Sequence, residues 1–315
     1  MTALELSREF FLETALPDLR EKFPDIAEKA AAGLAGNGSE CFGYDDEWSR
    51  DHDWGVDFFL WVPEECQWFI PSLTAWKAEI CERIPPEYRK RRSAYGADVG
   101  VMTAGDFFRS LIGCPGRPGT LQEWLRAPEE QLAMCVNGAV FHEGDGEFSR
   151  IQKEIRQYYP EDIRLKRIAS ACMVAAQAGQ YNMMRMAKRF DWVTVQESLS
   201  RYVRTVIRLA FLLNKTFRPY YKWAFRGMCG LPILGQELGR LLTELTLISG
   251  FDTETMRKRE ALIETIAGKL ITELRRQGLS DETDGFLTVH GESVRKHIRL
   301  ETLRELPARY DPFPD

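Results

Sequence analysis

Between Gly36 and Val62 the chain reads GNGSECFGYDDEWSRDHDWGVDFFLWV, a Gly-Ser pair and seven acidic residues ahead of or inside an apolar run. Asp51 and Asp53 stand one residue apart. In an extended segment alternate side chains share a face, so these two carboxylates would point the same way. Like charges so placed repel unless a cation lies between them, and hard oxygen ligands suit Mg²⁺ or Mn²⁺. Such an ion would neutralise triphosphate oxygens and help activate an attacking hydroxyl. The turn at Gly38 and Ser39, with eleven residues between Ser39 and Asp51, offers backbone N–H groups and a hydroxyl to the same phosphates. The other polar residues read as structural. Asp45 and Asp46 are turn formers beside Gly43, His52 would face away from the two aspartates, and Arg50 stands where it can pair with the acids.

A triphosphate also needs cations. In QYNMMRMAKR, Tyr181, Arg185 and Arg189 recur at i, i+4 and i+8, with Asn182 and Lys188 beside them, a helix face able to close over phosphates or a base. The plainer reading is a solvated face with Met183, Met184 and Met186 turned to the core. In NKTFRPYYKW, Lys215, Arg218 and Lys222 stand among Phe217, Tyr220, Tyr221 and Trp223. Lys222 is the candidate phosphate ligand, and the aromatics either stack on a base or fill a helix junction. YYPEDIR reads as a helix start, with Pro160 in the first turn and acids near the positive end of the dipole.

The elements that must hold these groups follow from the pattern. Residues 4–32 read as helices broken at Pro17 and Pro24, running into the small-residue segment AAAGLAG. VDFFLWV and ADVGVMT read as strands, and SLTAWKAEICERI as a helix stopped by Pro85 and Pro86. From about Thr120 onward the periodicity is helical. The Pro/Gly-rich GCPGRPGT is the expected linker, giving domains 1–118 and 119–305 and an irregular tail 306–315. The fold class is therefore α+β, a small mixed sheet followed by a helical bundle.

The 315 residues carry a net charge of −5, which argues against a generic basic nucleic-acid face. Seven cysteines, an odd number with no CxxC pair, suggest neither a disulfide framework nor a zinc site and read as reduced thiols of a cytoplasmic protein. No apolar run approaches the roughly 20 residues that cross a bilayer, so a membrane partner is not expected.

The Gly-Ser, Asp-x-Asp, apolar-strand arrangement resembles the DNA polymerase β-like nucleotidyltransferase superfamily. GSECFGYDDEWSRDHDW, YYPEDIRLKRI, GQYNMMR and FLLNKTFRPYYKW together look like a bacterial family of unknown biological role placed in it, over roughly Leu4 to Gly250. The resemblance implies that Asp51 and Asp53 bind Mg²⁺ or Mn²⁺, and that a third carboxylate, for which Asp98 is the candidate, comes from a neighbouring strand. WGVD intervenes before the strand, where the superfamily usually continues apolar, so a shifted pair of Asp53 and Asp57 is the alternative. The implied activity is transfer of a nucleotide monophosphate from an NTP, ATP first among them, to a hydroxyl-bearing acceptor with pyrophosphate release, in a cleft between the domains. Gly38, Ser39, Arg185, Arg189 and Lys222 would hold the nucleotide. The rivals are a non-catalytic nucleotide sensor and a toxin-like enzyme modifying RNA. The acceptor and the oligomeric state are not named by the sequence.

Overall fold

The computed structural model describes residues 1–50, 54–90 and 99–313. Asp51, His52, Asp53 and Asp98 lie outside the described residues. The chain divides into two compact units, Met1–Gln157 and Tyr158–Phe313.

The first unit opens with a capping box. Thr2 Oγ1 accepts from the Glu5 amide at 3.2 Å and Glu5 accepts from the Thr2 amide at 2.8 Å, which starts the helix Ala3–Phe10. A π-helical turn Phe11–Ala15 leads into helices Leu16–Lys22 and Pro24–Lys29, each with proline in its first turn, where the missing N–H costs nothing. Four strands follow: β1 (Ala31–Leu34), β2 (Phe59–Val62), β3 (Val101–Thr103) and β4 (Ala139–His142), in the order β3-β2-β1-β4. β1 is antiparallel to β2 and to β4, and β2 is parallel to β3.

β2 and β3 lie within the two segments expected to be strands. β1 and β4 do not follow from the sequence pattern. The small-residue run AAAGLAG contains β1, and β4 interrupts the stretch from Thr120 that reads as helical. β1 is small for a physical reason: a Cβ on Gly33 would lie 2.4 Å from the Ala139 carbonyl oxygen and 3.0 Å from the Trp61 ring. Close backbone approach thus sets the residue type, against strand propensity. All four residues of β2 are buried, so the sheet is covered on both faces. Trp61 stacks on Phe148 at 3.6 Å, with Phe107 edge-on to both rings. Gly113–Thr120 lies inside this unit, as do the helices Glu129–Val136 and Glu147–Ile155.

The second unit is helical, its longest members being Glu161–Ala175, Trp192–Leu213, Gly235–Leu247 and Thr253–Arg276. Glu161–Ala175 runs through its centre and buries Arg164, Lys166 and Arg167. Lys166 Nζ donates to the carbonyls of Leu306 (3.2 Å) and Pro307 (2.7 Å), and Ser170 Oγ to that of Arg309 (2.9 Å). Arg208 bonds Asp311, and Arg167 lies 3.6 Å from the same carboxylate. The tail after Glu305 is irregular, yet up to Phe313 it is part of this unit and buries Ala308 and Phe313. An α+β chain with a mixed sheet followed by a helical unit is what the structure contains.

Candidate functional site at the sheet end

Strand direction gathers three segments. Since β1 is antiparallel to β2 and β3 parallel to it, the exit of β1 and the starts of β2 and β3 share one end of the sheet. The exit of β1 carries Gly38 and Ser39. Trp54 and Val99, the described neighbours in sequence of Asp53 and Asp98, lead into β2 and β3.

The β1 exit is a fixed turn. Asn137 brackets Gly36, accepting from its amide at 2.8 Å and donating to its carbonyl at 2.7 Å. Gly38 has φ +120°, and a Cβ there would lie 2.5 Å from the Glu40 carboxylate, so glycine serves both the backbone and the placement of Glu40. Glu40 is buried and paired with Lys90 at 3.2 Å. The Ser39 hydroxyl is half-buried and makes no hydrogen bond among the described residues.

The segment leading into β2 is pressed against residues 88–90. Gly55 has φ +141°, and a Cβ would sit 2.6 Å from the Tyr88 carbonyl oxygen; the Val56 amide donates to that oxygen at 2.8 Å. Asp45 accepts from the Trp54 indole at 3.2 Å and from the Ala3 amide at 2.9 Å, while Asp46 accepts from the amides of Trp48 and Ser49. Asp46 therefore does the turn-fixing work expected of it, whereas Asp45 reaches out of the turn to the first helix and to Trp54. Arg50 lies over the Trp54 ring, 4.7 Å from its centroid, and forms no ion pair among the described residues, of which Asp51 and Asp53 are not part.

Lys77 ties the starts of β2 and β3 together. Its ammonium donates to Asp57 at 2.6 Å and to the Val99 carbonyl at 2.9 Å, with the Lys77 and Asp57 side chains both buried. Asp57 is thereby occupied in a buried ion pair, which leaves it poorly suited to the shifted metal pair. A pocket of about 520 Å³ opens here, lined by Val56, Asp57, Lys77, Lys90, Val99 and Gly100 among others. Among the described residues no three His, Cys, Asp or Glu side chains are arranged to hold a metal ion. The sequence signal for Lys77 exists: Leu73, Trp76, Lys77 and Ile80 are the buried positions of the helix Ile70–Cys81, so the lysine occupies a core position of an amphipathic pattern. Glu40 and Lys90 carry no such signal.

In the helical unit, Tyr181 and Arg185 do meet. The guanidinium bonds the phenol oxygen and lies 4.5 Å from the ring centroid. Arg189 falls beyond the end of the helix Met184–Ala187 and donates back to the Arg185 carbonyl at 3.0 Å, so the three do not form a continuous helix face. Met183 is fully buried, while Met184 and Met186 are half-buried. Lys222 is exposed, 5.1 Å from the Trp223 ring centroid. Trp223 and Phe217 are buried packing residues, Phe217 against Tyr158 and Tyr159, while Tyr220 is half-buried and Tyr221 exposed.

Residues 124–224 are similar to a domain family of unknown function, DUF4037. No curated protein matches the chain, and no solved structure does. The matched stretch includes β4, Arg185, Arg189 and Lys222 and lies outside Gly38–Asp98. Among the described residues no helix is long and apolar enough to cross a membrane.

Proposed function

We propose that the protein is a metal-dependent nucleotidyltransferase that moves a nucleotide monophosphate from an NTP, with ATP the first candidate, to a hydroxyl-bearing acceptor and releases pyrophosphate. The observation that supports this reading best is the strand arrangement, which brings the Gly-Ser turn to the same sheet end as the starts of β2 and β3. Phosphoryl transfer asks for such a convergence of phosphate-binding backbone and carboxylates. Glu40 and Asp57, the buried acids of that end, are neutralised by Lys90 and Lys77. Ligation of Mg²⁺ or Mn²⁺ therefore falls to Asp51 and Asp53, with Asp98 as the third carboxylate. A divalent ion held there would supply neutralisation of the triphosphate charge. The Ser39 hydroxyl, which makes no hydrogen bond among the described residues, and the backbone at Gly38 are left to hold phosphate oxygens.

Calorimetric titration of ATP with and without Mg²⁺ tests the reading, paired with pyrophosphate release across small-molecule, protein and RNA acceptors. Mg²⁺-dependent binding, lost in Asp53→Asn without a change in melting temperature, is the expected result. Equal affinity with and without the metal, or full activity in Asp53→Asn, overturns it. Binding with no pyrophosphate release from any acceptor would favour a nucleotide sensor.

A further inference from the structure

A π-helical segment, Ala176–Met183, stands in the helical unit between the helices Glu161–Ala175 and Met184–Ala187. Inserted π turns recur at functional sites, and this one lines a pocket of about 580 Å³ with Gln177 and Asn182. At 3.6 residues per turn, positions five apart would stand about 140° from each other around the axis. The wider π turn, bonded i to i+5, brings them toward one side. The turn is pressed against Tyr202, whose ring would lie 2.4 Å from a Cβ on Gly179. The helix Trp192–Leu213 gives the pocket Glu197, Ser198 and Arg201, and the C-terminal tail gives it Arg309.

Glu197 and Arg201 stand in the i, i+4 order that ordinarily pairs on a helix. Neither forms an ion pair among the described residues, and Arg309 forms none either. The side chains of Gln177, Asn182 and Ser198 likewise make no hydrogen bond among the described residues. The pocket thus presents two guanidiniums, one carboxylate, two amides and a hydroxyl, all uncommitted. A triphosphate there would face Glu197, and a simple cation would face both arginines. A zwitterion matches both signs, its carboxylate suiting a guanidinium fork and its ammonium the Glu197 carboxylate. Met173, Val174 and Met186 form the apolar part of the lining, and methionine adapts to apolar groups of different shape. The volume is that of a pocket for a small molecule.

We propose that this pocket binds a free α-amino acid with an apolar side chain, at a site separate from the nucleotide. Asn182 and Met186 are close in the chain to Arg185, which bonds Tyr181 and is not among the lining residues, so competition with ATP belongs in the test. L-Leucine, L-methionine and L-phenylalanine are titrated calorimetrically into the full-length protein. Isocaproate and isoamylamine, which are leucine without its ammonium and without its carboxylate, are the comparisons. At least one amino acid is expected to bind and to raise the melting temperature, both comparison compounds to bind more weakly than leucine, and ATP not to displace the bound amino acid. Glu197 and Arg201 are exposed, so Glu197→Gln and Arg201→Gln should leave the ligand-free melting temperature unchanged. Each should weaken the amino acid roughly tenfold, the loss of one charge-assisted contact. Arg201→Gln should weaken isocaproate too, whereas Glu197→Gln should not, since isocaproate has no ammonium to lose. Failure of all three amino acids to bind, equal affinity for leucine and isocaproate, displacement by ATP, or an affinity untouched by either variant would each overturn the proposal.

Discussion

Lys77 shows how one buried charge can organise a site without touching a ligand. Its ammonium holds Asp57 and the Val99 carbonyl, so it fixes the start of β2 relative to that of β3. Lys77→Met keeps the apolar stem but strands the Asp57 carboxylate, and should destabilise the first unit by about 3–5 kcal/mol in urea unfolding. Adding Asp57→Leu should recover much of that loss, because no uncompensated charge then remains. A second residue-scale expectation concerns Asp18, which accepts from the Trp76 indole at 2.8 Å and lies near Arg83 and Lys22. The indole hydrogen bond first, then the two cations, hold its carboxyl below the usual aspartate pKa. A depressed folded-state pKa gives stability that is present above the unfolded value and is lost as pH falls through the folded one. Asp18→Asn should therefore melt below the parent at neutral pH, with the gap closing as pH drops from about 5 toward 2. At this scale the sequence is informative where chemistry is local, as for the turn acid Asp46. It is silent on Glu40 with Lys90, fifty residues apart in the chain.

Elements were legible in proportion to how far local pattern decides them. β2 is buried on both faces and spells its own apolar run, and the helices of the second unit follow from periodicity. β1 contradicts its propensity, because its composition answers to the β4 backbone and the Trp61 ring. Glycine substitutions separate these two kinds of constraint. Gly33→Ala pushes a methyl group into the Ala139 carbonyl and should cost about 1–3 kcal/mol, the usual penalty for overfilling a packed site. Gly268 lies exposed within the helix Thr253–Arg276, with open space at its Cβ position. Gly268→Ala should stabilise by about 0.5–1 kcal/mol, since alanine restricts the unfolded chain and favours the helix. Denaturant titration of both variants reads the two signs, and a neutral Gly33→Ala would mean that β1 and β4 are not so closely apposed.

For the whole molecule, the sequence separates a sheet-bearing part from a helical part, and the structure adds where each one ends. The chain pattern changes near Thr120, but β4 joins the sheet only after that point, through pairing that no local signal announces. The tail is likewise unreadable as structure in sequence, since its role is to accept hydrogen bonds from cations more than a hundred residues away in the chain. Lys166 and Arg167 lie buried on the helix Glu161–Ala175, and the carbonyls of Leu306 and Pro307, with the Asp311 carboxylate, supply acceptors there. Water cannot replace those acceptors at a buried site, so removing them leaves charge without adequate solvation. A fragment 158–315 contains every one of these partners and should give a helical circular dichroism signal with a cooperative melt. A fragment 158–305 loses them, along with buried Ala308 and Phe313, and should melt far lower or without a clear transition. Combining Lys166→Met with the truncation distinguishes the causes: if it restores little, the apolar packing of Ala308 and Phe313 dominates over the ammonium's carbonyl contacts. Identical melting of 158–305 and 158–315 would show that the second unit closes its core without the tail.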